Sequence, residues 1–122
     1  MNDSSKLLRE KSFAFALRIV KLVHVLEKES RDWALFNQLL KSGTSIGANI
    51  TESQNAQSDA DFLSKMSIAY KEADETDFWI NLLHDNGYLD DKQFDSLKHD
   101  MDRILKILTS IVKTLNEKVK KK

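Results

Sequence analysis

Three kinds of residue are absent or scarce in this chain of 122 residues, which has no cysteine, no proline and only three glycines. Without cysteine it has no disulfide, no thiol nucleophile and no thiolate ligand for zinc. With glycine only at Gly43, Gly47 and Gly87, it also lacks the turn residues that an all-β fold or a flexible linker requires. These absences favour a helical protein with a single domain over residues 1–122.

Long apolar runs are absent as well. No segment approaches the ~18 uninterrupted apolar residues of a membrane span, and the first five residues have no apolar signal core. We therefore expect neither secretion nor a membrane partner. The lack of cysteine suits the reducing cytoplasm, which is the location we predict.

Charge is balanced in total but sorted along the chain. Nineteen cations match nineteen acids, so the bulk charge does not indicate a nucleic-acid binder. Residues 1–31 carry a net +3 and residues 91–122 a net +4, whereas residues 59–90 carry −6. Basic and acidic segments of this kind can pair within one molecule or between subunits.

Apolar residues recur at alternating steps of three and four over most of the chain, which is the period of an amphipathic helix. The last quarter shows the pattern best, with Phe94, Leu97, Met101, Ile104, Leu108, Ile111 and Leu115. Ser58 and Asp90 precede two of the segments as N-caps, and Gly87 follows one as a stop. We predict an all-α, antiparallel up-down-up-down four-helix bundle. Its helices are expected near residues 5–28, 31–56, 59–86 and 91–117.

The segment around Gly43 and Gly47 has two interpretations. Its Gly, Ser and Thr residues are poor helix formers and are typical of a loop. The three–four apolar spacing nevertheless continues through it from Phe36 to Ile50. We favour a helix in which the two glycines mark a close approach of a neighbouring helix.

Three segments of the chain resemble a known family. They are residues 15–23, 38–52 and 61–80, and they include the blocks Ser-Ile-Gly-Ala-Asn-Ile (45–50) and Lys-Glu-Ala-Asp-Glu-Thr (71–76). On these residues the chain resembles the four-helix-bundle proteins encoded in intervening sequences of bacterial 23S ribosomal RNA genes, also labelled the S23 ribosomal protein family. The resemblance covers about residues 8–115.

The resemblance implies a ring-like homopentamer of four-helix bundles with no established enzymatic activity. It also implies similarity to the accessory variability protein of diversity-generating retroelements, a basic pentamer that binds nucleic acid and a reverse transcriptase. RNA or DNA and an unidentified protein are therefore the expected partners besides further copies of the chain. The family name records the location of a gene and not a role in the ribosome.

A mixed aromatic and acidic face is predicted on the third helix. Ile68, Glu72, Glu75 and Trp79 fall on one flank of its apolar stripe. Aromatic anchors among charges are typical of protein interfaces. We interpret these residues as a candidate subunit interface, and the alternative is a set of ordinary solvated acids.

A polar network is the second candidate. Asn49 and Glu52 lie three apart in a helix that is otherwise nearly free of charge. They can form a local pair, or they can join Glu72 in a partly buried network with Arg18 or Lys21 as the cation. Such a network would specify how the helices align.

Two basic stripes are the third candidate. The first predicted helix and the last each present four cations within a narrow arc. The candidate nucleic-acid contacts are Lys11, Arg18, Lys21, Lys28, Lys98, Lys106, Lys113 and Lys120. No aromatic residues alternate with them, so any binding is expected to involve the phosphate backbone. The alternative is a solvated surface that keeps the protein in solution.

Catalytic and metal-binding motifs are missing. The chain has no Glu-x-x-His pair, no phosphate-binding loop and no nucleophile elbow, and its three histidines are scattered. We therefore predict no enzyme, no cofactor and no metal site.

Overall fold

Four helices make up the computed structural model, which describes residues 3–121. They are α1 (Asp3–Glu29), α2 (Trp33–Ser53), α3 (Asp59–Asp85) and α4 (Asp91–Lys120). Connections of three to five residues join them, so consecutive helices run antiparallel. Each helix packs on the next, and α4 closes the bundle against α1 less extensively. The predicted all-α four-helix bundle is confirmed.

One apolar stripe from each helix forms the core. Most members of the stripes that the three–four spacing predicts are almost fully shielded from solvent, whereas Phe94 and Ile111 of α4 are partly buried against the core. The largest fully buried side chains include Phe15, Ile19, Phe36, Ile50, Met66, Ile80, Met101 and Ile104. Since burying a side chain of this size contributes about 1.5–3 kcal/mol, the core is the main source of stability.

The ends of α3 and α4 follow the capping residues. The Ser58 hydroxyl accepts a hydrogen bond from the backbone N–H of Asp61 at 3.0 Å. Asp90 and Gln93 form a reciprocal capping box at 2.7 and 3.0 Å. Gly87 has φ +83°, a left-handed conformation that other residues adopt at a cost, and it stops α3. Capping chemistry therefore fixes both ends of the α3–α4 turn.

The end of α2 differs from the expected one. The helix ends at Ser53 rather than near residue 56. Beyond it, the N–H groups of Gln54, Asn55 and Ala56 bond to carbonyls three residues back, at 3.1–3.2 Å. This tighter pattern is common where a helix unwinds. The segment 54–58 has no large apolar side chain that would hold a further α-helical turn against the core.

Gly43 and Gly47 both lie inside α2, so the loop interpretation is wrong. A Cβ built on Gly43 would lie 3.0 Å from Cγ2 and 3.1 Å from Cγ1 of the buried Ile19 on α1. A Cβ on Gly47 would lie 3.4 Å from the carbonyl oxygen and the hydroxyl of Ser12. The glycines therefore mark a close crossing of α1 and α2, and the crossing is tighter at Gly43.

The two glycines are expected to respond differently to alanine. Alanine gains about 1 kcal/mol of helix propensity at either site. At Gly47 the new methyl group meets ordinary contact distances, so Gly47→Ala should be neutral or stabilising. At Gly43 it crowds a buried β-branched side chain at a typical cost of about 1–3 kcal/mol, so Gly43→Ala should destabilise. Urea unfolding followed by circular dichroism measures the difference, with Gly47→Leu as a strongly destabilised reference.

A higher unfolding free energy for Gly43→Ala than for Gly47→Ala would contradict the packing described for this crossing.

Candidate nucleic-acid and subunit interfaces

The candidate sites lie on helix surfaces. Within residues 3–121, no three histidine, aspartate or glutamate side chains are grouped to hold a metal ion. In the same part of the chain, no helix combines the length and the apolar character that crossing a membrane requires. The cytoplasmic location stays a prediction.

The predicted α3 face is a partly exposed surface. Ile68 is 40% exposed, and Glu72, Glu75 and Trp79 are half-buried. The Trp79 indole Nε1 is itself buried and has no acceptor among the described residues. Its ring packs edge-to-face on Phe78 at a centroid distance of 4.9 Å, and Phe78 is 58% exposed. Phe78 was missing from the predicted face, although it directly precedes Trp79. The role of this face as a subunit interface stays a prediction.

Arg18 is not the cation of the predicted network. Its guanidinium donates to a carboxylate oxygen of Asp100 on α4 at 2.5 Å and to the Ser96 hydroxyl at 3.0 Å. It also donates to the Ser96 carbonyl at 3.4 Å. Arg18 therefore links α1 to α4, on the side of α1 that faces away from α2.

The other members of the predicted network are also separate. The Asn49 amide donates to the Ser45 carbonyl one turn earlier, at 2.8 Å. Glu52 accepts from Lys65 of α3 at 3.2 Å. The Glu72 carboxylate makes no hydrogen bond or ion pair with another residue of 3–121. The prediction is corrected to a local bond at Asn49 and one α2–α3 ion pair at Glu52.

The basic stripe of α1 divides between two environments. Lys11 and Arg18 lie toward α4, where Lys11 lines a small crevice beside Asp100. Lys21 and Lys28 are exposed, and neither forms an ion pair with another described residue. The stripe is therefore not one continuous row of free cations.

The basic stripe of α4 divides along its length. Lys98 donates to Asp77 of α3 at 2.5 Å and lies 3.5 Å from Asp102. By contrast, Lys106, Lys113 and Lys120 are exposed, and none forms an ion pair within residues 3–121. Lys98 is therefore not a free cation, because Asp77 accepts a hydrogen bond from its ammonium group. The free cations of this stripe lie on the C-terminal half of α4.

Asp77 and Lys98 form a partly buried pair that affects ionisation. Burial by itself lowers the pKa of Lys98. The hydrogen bond to Asp77 and the charges of Asp77 and Asp102 outweigh that effect, so the pKa of Lys98 lies above its ordinary value of 10.5. The folded protein therefore holds this proton more tightly than the unfolded chain does.

The contribution of this pair should depend on alkaline pH. It is fully present below pH 10.5 and is lost as the pH rises through the raised pKa of Lys98. At neutral pH, Lys98→Met should therefore lower the unfolding free energy by about 1 kcal/mol. Above pH 10.5 the gap to the unchanged protein should narrow. Urea unfolding between pH 7 and 11.5 measures this gap.

The exposed Lys92 of the same helix supplies the control, since Lys92→Met should leave stability unchanged across the range. A gap for Lys98→Met that stays constant up to pH 11.5 would show that packing, and not charge, is its source.

A family match and a similar crystal structure both relate this chain to the same family. The family described as 23S rRNA-intervening sequence protein matches residues 7–110. The chain is also similar to the crystal structure of a protein of unknown function from the S23 ribosomal protein family of Bacteroides thetaiotaomicron. The identity is 44%, the TM-score is 0.87, and the match covers 90% of this chain and 98% of that one. No curated protein matches the chain significantly. Neither description names a catalytic activity.

Proposed function

Because the chain belongs to the family of 23S rRNA-intervening sequence proteins, we propose that it is a non-catalytic scaffold. In this proposal several copies assemble, as the ring-like homopentamer that the family resemblance implies, and bind the phosphate backbone of RNA or DNA. The observation that carries the proposal is the row of free lysines on the C-terminal half of α4.

The row has the chemistry for contacts with phosphate. Lys106, Lys113 and Lys120 are spaced seven residues apart and are exposed on one face. At 1.5 Å per residue they lie about 10.5 Å from one another along the helix. Beyond residue 103, Glu117 is the one acid of the chain. Lys118 in the last turn of α4 and Lys121 just after the helix add two more cations, although Lys118 also approaches Asp59 at 3.5 Å.

Assembly multiplies a weak contact. A few exposed lysines on one copy bind a polyanion weakly, because each phosphate contact releases few counterions. Several copies in one particle present the same row repeatedly, and binding of the first raises the effective concentration of the others. A protein with no net charge can therefore bind a long nucleic acid. The half-buried Trp79 and its neighbours on α3 are the candidate surface for assembly.

A protein-interaction oligomer that binds no nucleic acid is the alternative function. It is favoured by the way in which Asp100 and Asp77 occupy Arg18 and Lys98. In that case the free lysines of α4 serve solubility, and an unidentified protein is the partner.

Removing two of the free lysines should weaken nucleic-acid binding. The test compares Lys106→Gln/Lys113→Gln with the unchanged protein in electrophoretic shifts on a generic RNA and a generic DNA over a salt series. Each lost phosphate contact lowers the slope of log K against log salt by about 0.7 to 0.9. The slope should therefore fall by about 1.4 to 1.8 for each bound subunit.

The matched control is Lys41→Gln/Lys92→Gln, which removes two exposed lysines outside the row and should preserve the slope. If the unchanged protein gives no salt-dependent shift, the nucleic-acid proposal fails and the alternative is favoured. If both double variants weaken binding equally, the row on α4 is not the contact surface.

Trp79 tests the assembly. If the α3 face contacts a neighbouring copy, Trp79→Ala should lower the particle mass while the helical circular dichroism signal stays nearly the same. Light scattering after size exclusion at micromolar concentration measures the mass. Trp33→Ala is the control, because Trp33 is 58% exposed at the start of α2, outside the candidate face. An unchanged chain that runs as a monomer would refute the assembly.

A further inference from the structure

Six large apolar side chains are exposed on α1 and α3, two helices that are not adjacent in the bundle, and four of them form the pattern described below. Phe13 is 67% and Leu17 49% exposed on α1, while Phe78 is 58% and Ile68 40% exposed on α3. Within residues 3–121, no Cα atom of α1 lies within 8 Å of a Cα atom of α3, since each helix packs on α2 and α4. They occupy diagonal corners of the bundle, so their outer faces point away from each other.

The outer face of α1 is a stripe with helical spacing. Phe13 and Leu17 lie one turn apart at its centre, and the same three–four spacing places Lys6, Lys21 and Lys28 on it. Its acids are Glu10 and Glu27, and Arg9, one turn before Phe13, adds a fourth cation. An open groove of about 570 Å³ runs beside Phe13 toward Thr51 of α2. We call this surface the α1 stripe: it is basic, with an apolar centre and a groove at its edge.

The outer face of α3 has the same spacing and the opposite charge. Phe78 and the half-buried Leu82 lie one turn apart, as Phe13 and Leu17 do, and Ile68 lies on the same side. Four acids, Glu72, Asp74, Glu75 and Asp85, lie on or beside this face with one lysine, Lys71. We call this surface the α3 stripe. It includes the candidate interface and extends it to Phe78 and Leu82.

We infer that the α3 stripe of one copy docks onto the α1 stripe of the next. This inference rests on the proposed assembly and names the surface that receives the α3 face. Contact between the stripes covers Phe13 and Leu17 of one copy and Phe78 of the next, and it places acids against lysines. Pairing α1 with α1 or α3 with α3 would instead bring like charges together, which is costly. Charge therefore selects a head-to-tail contact.

A head-to-tail contact has a geometric consequence. Each copy uses a different surface for each of its two neighbours, so the contact repeats from copy to copy and closes into a ring where the rotation allows. Lys21 and Lys28 then belong to the subunit contact. The lysines of α4 remain free, because α4 carries neither stripe.

Two single variants and their mixture test the inference. Leu17→Glu places an acid in the α1 stripe, and Phe78→Lys places a cation in the α3 stripe. Each variant retains one intact stripe, so each alone should fall to a lower mass with unchanged helicity. Mixed in equal amounts, they should form a complex that contains both chains, through the intact α3 stripe of one and the intact α1 stripe of the other. Native mass spectrometry separates the species.

Trp33→Glu is the control, because Trp33 is 58% exposed and lies at the start of α2, on neither stripe. It should retain the mass of the unchanged protein. Retained mass in Leu17→Glu, equal loss in Trp33→Glu, or no mixed complex would each overturn the inference while leaving assembly itself intact. A monomeric unchanged protein would overturn both.

Discussion

The close crossing of α1 and α2 fixes how these two helices lie against each other, and the other two helices pack on that pair. At Gly43 and Gly47 α2 contributes no side chain to the contact, so Ile19 and Ser12 of α1 lie directly against its backbone. Helix α3 then packs on α2, and α4 packs on α3, but α4 meets α1 less extensively. Because apolar packing is thinner along the α1–α4 seam, the bond between Arg18 and Asp100 has more influence on how these helices align.

The fold could be predicted because its determinants are local. A three–four apolar period identifies a helix without knowledge of its neighbours, and Ser58, Asp90 and Gly87 act on backbone groups within a few residues. The end of α2 was misplaced because no capping residue marks it. There the helix ends where apolar contact stops, and that point depends on the helices packed against it.

The candidate sites were less predictable because they depend on which helices are adjacent. A helical wheel places Arg18 in a basic stripe, but the ion pair to Asp100 joins residues that are 82 positions apart. Lys98 likewise meets Asp77 across the α3–α4 seam. A cation that appears free on an isolated helix is therefore already paired in the bundle. The predicted network of Asn49 and Glu52 failed for the same reason, since Lys65 of the neighbouring helix donates a hydrogen bond to the Glu52 carboxylate.

Zero net charge conceals a division of charge among surfaces. The acids of α3 and the lysines of the distal half of α4 lie on different helices, whose axes are about 8–10 Å apart. The screening length at physiological ionic strength is about 8 Å. The electrostatic attraction on a polyanion bound at Lys106 and Lys113 therefore comes mainly from these nearby lysines, because the acids of α3 are largely screened. If α3 docks on α1 of a neighbouring copy, the acids of α3 and the lysines Lys21 and Lys28 are covered together, and the row of lysines on α4 stays exposed to a polyanion.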